Sequence, residues 1–274
     1  MLKREIRIFF TALMFLTRLP VPRQTDHRPE YLMEAPRYFS WVGLIVGGLT
    51  GLSFLLFHLL FPGNIALAAA ILTGIMVTGA FHEDGLADVC DGFGGGWTKE
   101  KILLIMKDSR LGTFGVIGLV GVLGLKFLFL QTLLPGSSTL PGPPRHGLPW
   151  HSSPALSWLA FLLLAHSGSR FCAAGVMQVF PYATGVEQSK SREATGKQMG
   201  VGGWCLSAAA LLVPLSLLPP LCGLSLLPAV LGAYGLARYF QKWIGGYTGD
   251  CLGAIQQVTE ILIYAAIYII WRYS

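Results

Sequence analysis

Two long stretches without any formally charged side chain constrain the fold of this chain more than any other feature. One lies between Arg37 and His82 and the other between Lys197 and Arg238. A transmembrane helix needs about 20 consecutive apolar residues, so each stretch is long enough for two spans. Charged residues make up only 12% of the chain, about half the share of an ordinary soluble domain. The pattern predicts a polytopic membrane protein.

We expect about seven spans, all helical, because backbone polar groups inside a bilayer must be satisfied within the span itself. The predicted fold class is therefore all-α: a polytopic integral membrane helical bundle with an N-terminal interfacial helix. Lys126 lies inside the third span and Glu260 inside the last. The expected spans are residues 39–61, 65–82, 111–134, 154–177, 201–218, 221–240 and 252–271.

Alternate loops are rich in basic residues, which predicts the orientation. With a cytoplasmic N-terminus and an odd number of spans, every basic loop lies on the cytoplasmic side. The net charge of +6 thus indicates topology and anionic lipid, and nucleic acid is not an expected partner. The basic residues are Lys3, Arg4, Arg7, Arg18, Arg23, Lys99, Lys101, Lys107, Arg110, Lys190, Arg192 and Lys197.

The chain is expected to form one integral membrane domain over residues 1–274. Within it, residues 1–38 would be the interfacial segment and 83–110 a cytoplasmic acidic active-site loop. Residues 135–154 are rich in proline and glycine and would form an external loop.

Four of the chain's 14 acidic residues lie in H-E-D-G-L-A-D-V-C-D-G at 82–92. Asp84, Asp88 and Asp91 have the spacing i, i+4, i+7, which on a helix places them on one face within roughly 60° of arc. Carboxylates this close repel one another unless a cation neutralises them. Oxygen ligands favour Mg²⁺, with Mn²⁺ or Ca²⁺ as alternatives. The plainer reading is a solvated helix end, and Glu83 points away from this face.

Two further segments are predicted to reach the same cytoplasmic face. The run G-F-G-G-G at 92–96 should break the helix, and K-D-S-R-L-G-T-F-G at 107–115 follows it. There Asp108 could complete the metal site, while Arg110 and Lys107 could bind phosphate oxygens or anchor the helix at the interface. In G-G-Y-T-G-D-C-L-G-A at 245–254, Asp250 brings another carboxylate, or it and Thr248 only cap a helix.

Weaker candidates lie elsewhere. His82 borders the acidic stripe and could orient a ligand, and Arg170 is a costly charge near a span that requires a phosphate or carboxylate partner. His58 and His166 are expected to serve packing. Residues 182–192 would form either a substrate flap or only a positively charged topology loop.

Four blocks in this order resemble the cobalamin-5′-phosphate synthase (adenosylcobinamide-GDP ribazoletransferase) family: F-L-T-R-L-P-V-P (15–22), the 82–92 block, I-M-K-D-S-R-L-G-T-F-G (105–115) and the 245–254 block. The resemblance implies a Mg²⁺-dependent enzyme of the bacterial inner membrane, with its active site facing the cytoplasm. It would join adenosylcobinamide-GDP to α-ribazole or its 5′-phosphate and release GMP. Glu83 departs from the family motif, which usually has an apolar residue there.

The resemblance and the motifs together give a predicted site. The implied partners are the two substrates and the lipid bilayer, with a homo-oligomer or association with other cobalamin-assembly enzymes left open. The predicted catalytic residues are Asp84, Asp88, Asp91, Asp108 and Asp250. The first four of these are also the predicted metal ligands. The predicted substrate-binding residues are Arg110, His82, Lys107, Ser109, Thr248, Gly249 and Arg170.

Two alternative functions remain at this stage. CDP-alcohol phosphotransferases also carry Asp-rich motifs at a membrane face, although Asp88 stands where that family has arginine. A divalent-cation transporter could use the acidic stripe as its pathway, but the acids lie at one face, and no internal repeat is visible.

Overall fold

The computed structural model describes residues 2–22, 25, 28–134, 154–183 and 198–273. Every regular element in these ranges is a helix, which confirms the all-α prediction. The predicted external loop, apart from Pro154, and most of the predicted flap lie outside the described residues.

The described chain forms a series of α-helices with two short 3₁₀ turns, Ala35–Tyr38 and Pro220–Ser225. The α-helices are α1 (Leu2–Leu16), α2 (Pro29–Glu34), α3 (Phe39–His58), α4 (Gly63–Thr78), α5 (Phe81–Gly95), α6 (Lys99–Met106), α7 (Thr113–Thr132), α8 (Pro154–Val179), α9 (Val201–Leu215), α10 (Leu226–Ile244) and α11 (Gly249–Tyr273).

Each of the seven predicted spans corresponds to a helix, but fewer of them could cross a membrane. Among the described residues, five helical segments are long and apolar enough, or six if α4 and α5 are counted as one bent span. Helix α4 has 16 residues and α9 has 15, with Pro214 near its end. The difference arises because sequence hydropathy does not show where a helix bends or stops.

A sharp bend of 89° separates α4 from α5. Gly79 and Ala80 both have left-handed backbone conformations, with φ of 68° and 59°. The N–H of Ala80 donates to the carbonyl of Ile75 at 2.9 Å, which satisfies the end of α4. Arg18 packs against Gly79, and its backbone N–H donates to the carbonyl of Val77. The bend gives the acidic residues a helix of their own.

Helices α8 and α11 form the centre of the bundle, while α7 and α10 expose most of their apolar surface. Leu128 and Leu231 are among these exposed side chains, as expected of helices that face lipid. Helix α3 approaches α8 closely at Gly43, where a Cβ atom would lie 2.7 Å from Ser167 Cα. Small residues thus permit close helix contact in the interior.

Helix α1 is attached to the bundle by charge pairs and by its apolar face. Arg4 pairs with Glu34 at 2.6 Å, and Arg37 pairs with Glu5 at 3.1 Å. Ile8 and Ala12 are fully buried. The helix predicted at the N-terminus is therefore present, and its location at the membrane interface stays a prediction.

Candidate active site

The predicted acidic stripe lies on helix α5, and its three members differ in burial. Asp84 is exposed, Asp88 is half-buried and Asp91 is buried. The helix continues through Gly95 and is capped at Gly96, so it ends within the 92–96 glycine run that was predicted to break it. Together with α6 it also makes the predicted 83–110 loop largely helical.

Asp91 binds the beginning of helix α7. The N–H of Gly112 donates to its Oδ2 at 2.7 Å, and the N–H of Gly115 donates to its Oδ1 at 2.8 Å. A carboxylate at a helix N-terminus is favoured by the helix dipole and by the otherwise unsatisfied amides. The carboxylate also packs so closely against both glycines that neither position leaves room for a Cβ atom. Asp91 therefore has a clear positioning role between α5 and α7.

Asp250 reaches the acidic stripe through a glycine contact between α5 and α11. A Cβ atom on Gly85 would lie 2.8 Å from Asp250 Cα, and one on Gly253 would lie 3.0 Å from the carbonyl oxygen of His82. Asp88 consequently experiences the charges of Asp250, Asp84 and Asp91. Residues from distant parts of the sequence thus form one group, which we call the carboxylate cluster: Asp84, Asp88 and Asp250. Asp91 lies about one turn further along α5.

Asp108 and Arg110 form an ion pair with each other at the surface. Arg110 Nη2 lies 2.6 Å from Asp108 Oδ2, and the Arg110 N–H also donates to Asp108. The hydrogen bonds from Arg110 lower the pKa of Asp108 to about 2, and the same bond raises the pKa of Arg110. Both groups are already paired in this structure.

The four predicted metal ligands are not brought together as one set. No three acidic, histidine or cysteine side chains of the described ranges are arranged so that they could hold one metal ion. Asp91 is occupied by backbone amides and Asp108 by Arg110. The donor chemistry nevertheless fits a hard cation at the carboxylate cluster, because like charges held together there favour a divalent ion.

The other predicted substrate-binding residues fall into two groups. Lys107 and Ser109 are exposed beside Arg110. Thr248 is buried, and its hydroxyl oxygen accepts a hydrogen bond from the N–H of Cys251 at 3.3 Å, so it caps α11. Gly249 is the first residue of that helix. This is the capping alternative considered for Thr248.

His82 and Arg170 are buried in the bundle interior, with exposed fractions of 4% and 2%. They line a cavity of about 20 Å³ together with Glu83, Lys126 and Glu260. Arg170 Nη1 donates to the backbone carbonyl of His166 at 3.0 Å, so its hydrogen-bond partner is a carbonyl oxygen and not the expected phosphate or carboxylate. His166, expected to serve packing, instead lies 3.7 Å from Glu260.

Sequence reasoning missed this buried charged network. Lys126 Nζ lies 3.2 Å from Glu260 Oε1, and Gln257 donates to Glu83 at 2.9 Å. The available signal was the presence of Lys126 and Glu260 within spans, where isolated charges are costly. Their pairing could not be inferred, because it depends on how α7 packs against α11.

The fold defines a polytopic helical-bundle protein. Its candidate site is a cluster of carboxylates contributed by α5 and by the start of α11. A family model described as Cobalamin-5-phosphate synthase matches residues 8–268. The chain belongs to this family.

Similar proteins cover nearly the whole chain. An adenosylcobinamide-GDP ribazoletransferase of Shewanella oneidensis is 38% identical over 97% of this chain and 95% of its own length. One of Leptospira interrogans is 38% identical over 99% and 98%, and one of Leptothrix cholodnii is 36% identical over 95% and 94%. No solved structure matches the chain.

Proposed function

We propose that this protein joins adenosylcobinamide-GDP to α-ribazole or its 5′-phosphate and releases GMP. Membership of the family supports this reaction, as do relatives named for it that match along nearly their full length. Neither a CDP-alcohol phosphotransferase nor a cation transporter has comparable support.

The observation that carries the proposal is the contact of Gly85 on α5 with Asp250 on α11. It places Asp250 beside Asp88, although 162 positions separate them in the sequence. Such a cluster has no stabilising role of its own, because its charges repel. A concentration of carboxylates is chemically useful to an enzyme whose substrate is a diphosphate that needs metal neutralisation.

We infer that Asp84 and Asp250, whose charges act on each other, would hold Mg²⁺ together with oxygens of the substrate diphosphate, with Mn²⁺ as a substitute. No three side chains of the described ranges are arranged to hold the ion by themselves, and Asp88 is left to accept a proton. The ion would offset the negative charge of the diphosphate. Asp91 would act indirectly, by holding α7 against the acidic helix. This differs from the predicted ligand set, because Asp91 and Asp108 already have other partners.

In the transfer, a free ribose hydroxyl oxygen of the ribazole forms a bond to the phosphorus on the cobinamide side of the diphosphate. The 5′ oxygen is not the nucleophile, because it carries the phosphate group in the 5′-phosphate substrate. The bond from that phosphorus to the GMP oxygen breaks, and GMP leaves with the electron pair. The hydroxyl proton passes to a carboxylate of the cluster, for which we propose Asp88 because it is half-buried beside Asp250. Arg110 is at the surface and could bind the leaving phosphate only by releasing Asp108.

We place the protein in the bacterial inner membrane with this cluster on the cytoplasmic side. The distribution of basic residues among the loops supports the orientation. A homo-oligomer or an association with other cobalamin-assembly enzymes stays a prediction.

The test is turnover by detergent-purified protein that elutes as one folded species. Adenosylcobinamide-GDP and α-ribazole are supplied with Mg²⁺, then with EDTA, and then with Mg²⁺ restored. We expect GMP and a cobalamin product only when the metal is present. Turnover that persists in EDTA would reject the metal proposal alone, whereas folded protein that releases no GMP from adenosylcobinamide-GDP with either α-ribazole or its 5′-phosphate as acceptor would reject the transfer reaction.

A further inference from the structure

The buried network begins at Glu83, the neighbour of Asp84 in the first turn of α5. Gln257 Nε2 donates to Glu83 Oε1 at 2.9 Å, and Gln257 Oε1 accepts from Lys126 Nζ at 3.0 Å. One side chain on α11 therefore connects an acid on α5 to a base on α7. Glu83 lies outside the carboxylate cluster, so the proposed metal site does not explain it.

The network continues along α11 to Glu260. Gln256 Nε2 donates to Glu260 Oε2 at 2.7 Å, and Tyr264 donates to Glu260 Oε1 at 3.3 Å. Lys126 and Glu260 have side-chain exposures of only 7% and 1%. Buried ionised groups are tolerated only when they are paired and hydrogen-bonded, and both conditions are met here.

The formal charges within this network balance. Glu83 and Glu260 contribute two negative charges, and Lys126 and Arg170 contribute two positive ones. Replacing one of the four by a neutral residue therefore leaves an uncompensated charge in the interior. Replacing one acid and one base together restores the balance.

The cavity among these residues contains polar atoms that are not satisfied by the protein. Within the described ranges, Thr50 Oγ1, Glu83 Oε2 and Arg170 Nε are buried without a hydrogen-bond partner, and all three residues line it. Its volume of about 20 Å³ suffices for one water molecule, which could accept from Arg170 and donate to Glu83. With that water in place, both carboxylate oxygens of Glu83 would have hydrogen-bond partners, and these would fix the orientation of the side chain.

The geometry of the two helices connects this network to the carboxylate cluster. Asp250 and Gln257 are seven positions apart on α11 and share one face of it. The Glu83–Gln257 bond therefore acts beside the Gly85–Asp250 contact. Two contacts between the same helices fix both their separation and the rotation of α5 about its axis. That rotation determines where Asp84 and Asp88 point.

We propose that Glu83 is a positioning residue: held by Gln257 within a charge-balanced network, it sets the orientation of the acidic helix against α11. This proposal rests on the proposed function only for its kinetic readout. Glu83 is buried and lines the interior cavity.

The test is a double-mutant cycle of Glu83→Gln and Lys126→Met, with kcat normalised to folded protein. Glu83→Gln should lower kcat about tenfold, because misplacing a catalytic group by a fraction of an ångström has effects of this order. KM for both substrates should change less than about twofold, because position 83 is buried in the interior network. The double variant should recover kcat to within about threefold of the unaltered protein, since the charges again balance.

Hydrogen exchange of the same proteins gives a readout independent of turnover. In Glu83→Gln the amides of residues 81–91 should exchange faster while those of α8 do not, and the double variant should restore protection. The exposed acid Glu100 on α6 supplies the matched control, Glu100→Gln, which should change neither readout.

Unchanged kcat and exchange in Glu83→Gln, or a double variant no better than the worse single one, would overturn the proposal. If Glu83→Gln does not fold, Glu83→Asp keeps the charge but shortens the reach to Gln257. Lower kcat in that variant, with faster exchange in α5, would support positioning, and values equal to the unaltered protein would refute it. If the unaltered protein shows no transfer at all, the proposed function fails, and hydrogen exchange alone decides the role of Glu83.

Discussion

The carboxylate cluster and the buried network meet at adjacent residues in the first turn of α5, but their charges are arranged differently. Asp84, Asp88 and Asp250 carry charges of one sign and are exposed or half-buried. The network around Glu260 has both signs and is almost fully buried. Adjacent residues, Asp84 and Glu83, thus belong to two different environments.

The difference shows what each region can do. Repulsion makes a cluster of like negative charges least stable on its own, and a bound cation stabilises it most. A network whose formal charges balance needs no added cation, so it contributes specificity of packing. Substitutions in the first region should therefore affect the chemistry directly. Substitutions in the second should affect the packing of the fold, and turnover only through the position of α5.

The largest expected effect is that of Asp88→Asn on turnover. Because this change removes a charge central to the cluster and the proposed proton acceptor, we expect activity to fall roughly 10³-fold. The melting temperature should not decrease, since repulsion among the carboxylates is relieved. GMP release and thermal unfolding in detergent measure the two quantities. Turnover of the Asp88→Asn variant within tenfold of normal would refute the assignment, and Glu100→Gln serves as the control.

Lys126→Met should produce the opposite pattern. It leaves Glu260 buried with less compensating charge, which we expect to cost about 3 kcal/mol of unfolding free energy. Equilibrium unfolding in mixed micelles measures the loss. Lys242 is exposed at the end of α10, and Lys242→Met should change stability by less than about 0.5 kcal/mol. Equal effects at the two lysines would contradict the distinction between the regions.

Gly85→Ala should affect stability and turnover together, because it lies where the two regions meet. The added methyl group would meet the backbone of Asp250, and such overpacking costs about 1–3 kcal/mol. A methyl group added at Gly121 on α7 would have no atom within 4 Å, so Gly121→Ala is the matched control. We expect only Gly85→Ala to lower the melting temperature and GMP release. If both variants behave alike, the close contact of α5 and α11 is not needed.

The smallest effect is expected for Asp108→Asn. Its carboxylate is paired with Arg110 at the surface, and exposed ion pairs contribute little. We expect turnover to fall less than about tenfold, in contrast to the loss at Asp88. A loss as large as that of Asp88→Asn would return Asp108 to the metal site that the sequence predicted.

Periodicity and composition were sufficient to predict the long apolar helices and the acidic stripe. The spacing of Asp84, Asp88 and Asp91 needs only the geometry of one helix, and long apolar stretches need only the thickness of a bilayer. Local signals also favoured the cap at Thr248, which the structure contains.

The remaining features depend on contacts between helices and could not be predicted. The bend at Gly79–Ala80 requires an alanine in a left-handed conformation, which no propensity favours. Asp91 accepts hydrogen bonds from amides 21 and 24 positions further along the chain. The partners of Lys126 and Glu260 likewise became evident only when α7 and α11 were seen together.

The contact of Gly85 with Asp250 also has a consequence for biosynthesis. Its two halves come from the fifth helix and from the last helix of the described chain. During translation, the acidic residues of α5 emerge long before Asp250 exists. A ribosome that stalls, or a nonsense codon, between Gly95 and Asp250 would leave a product that has the acidic helix but lacks Asp250, and with it the complete cluster. Such a product could not form the site we propose, which can assemble only after the beginning of α11 has been synthesised.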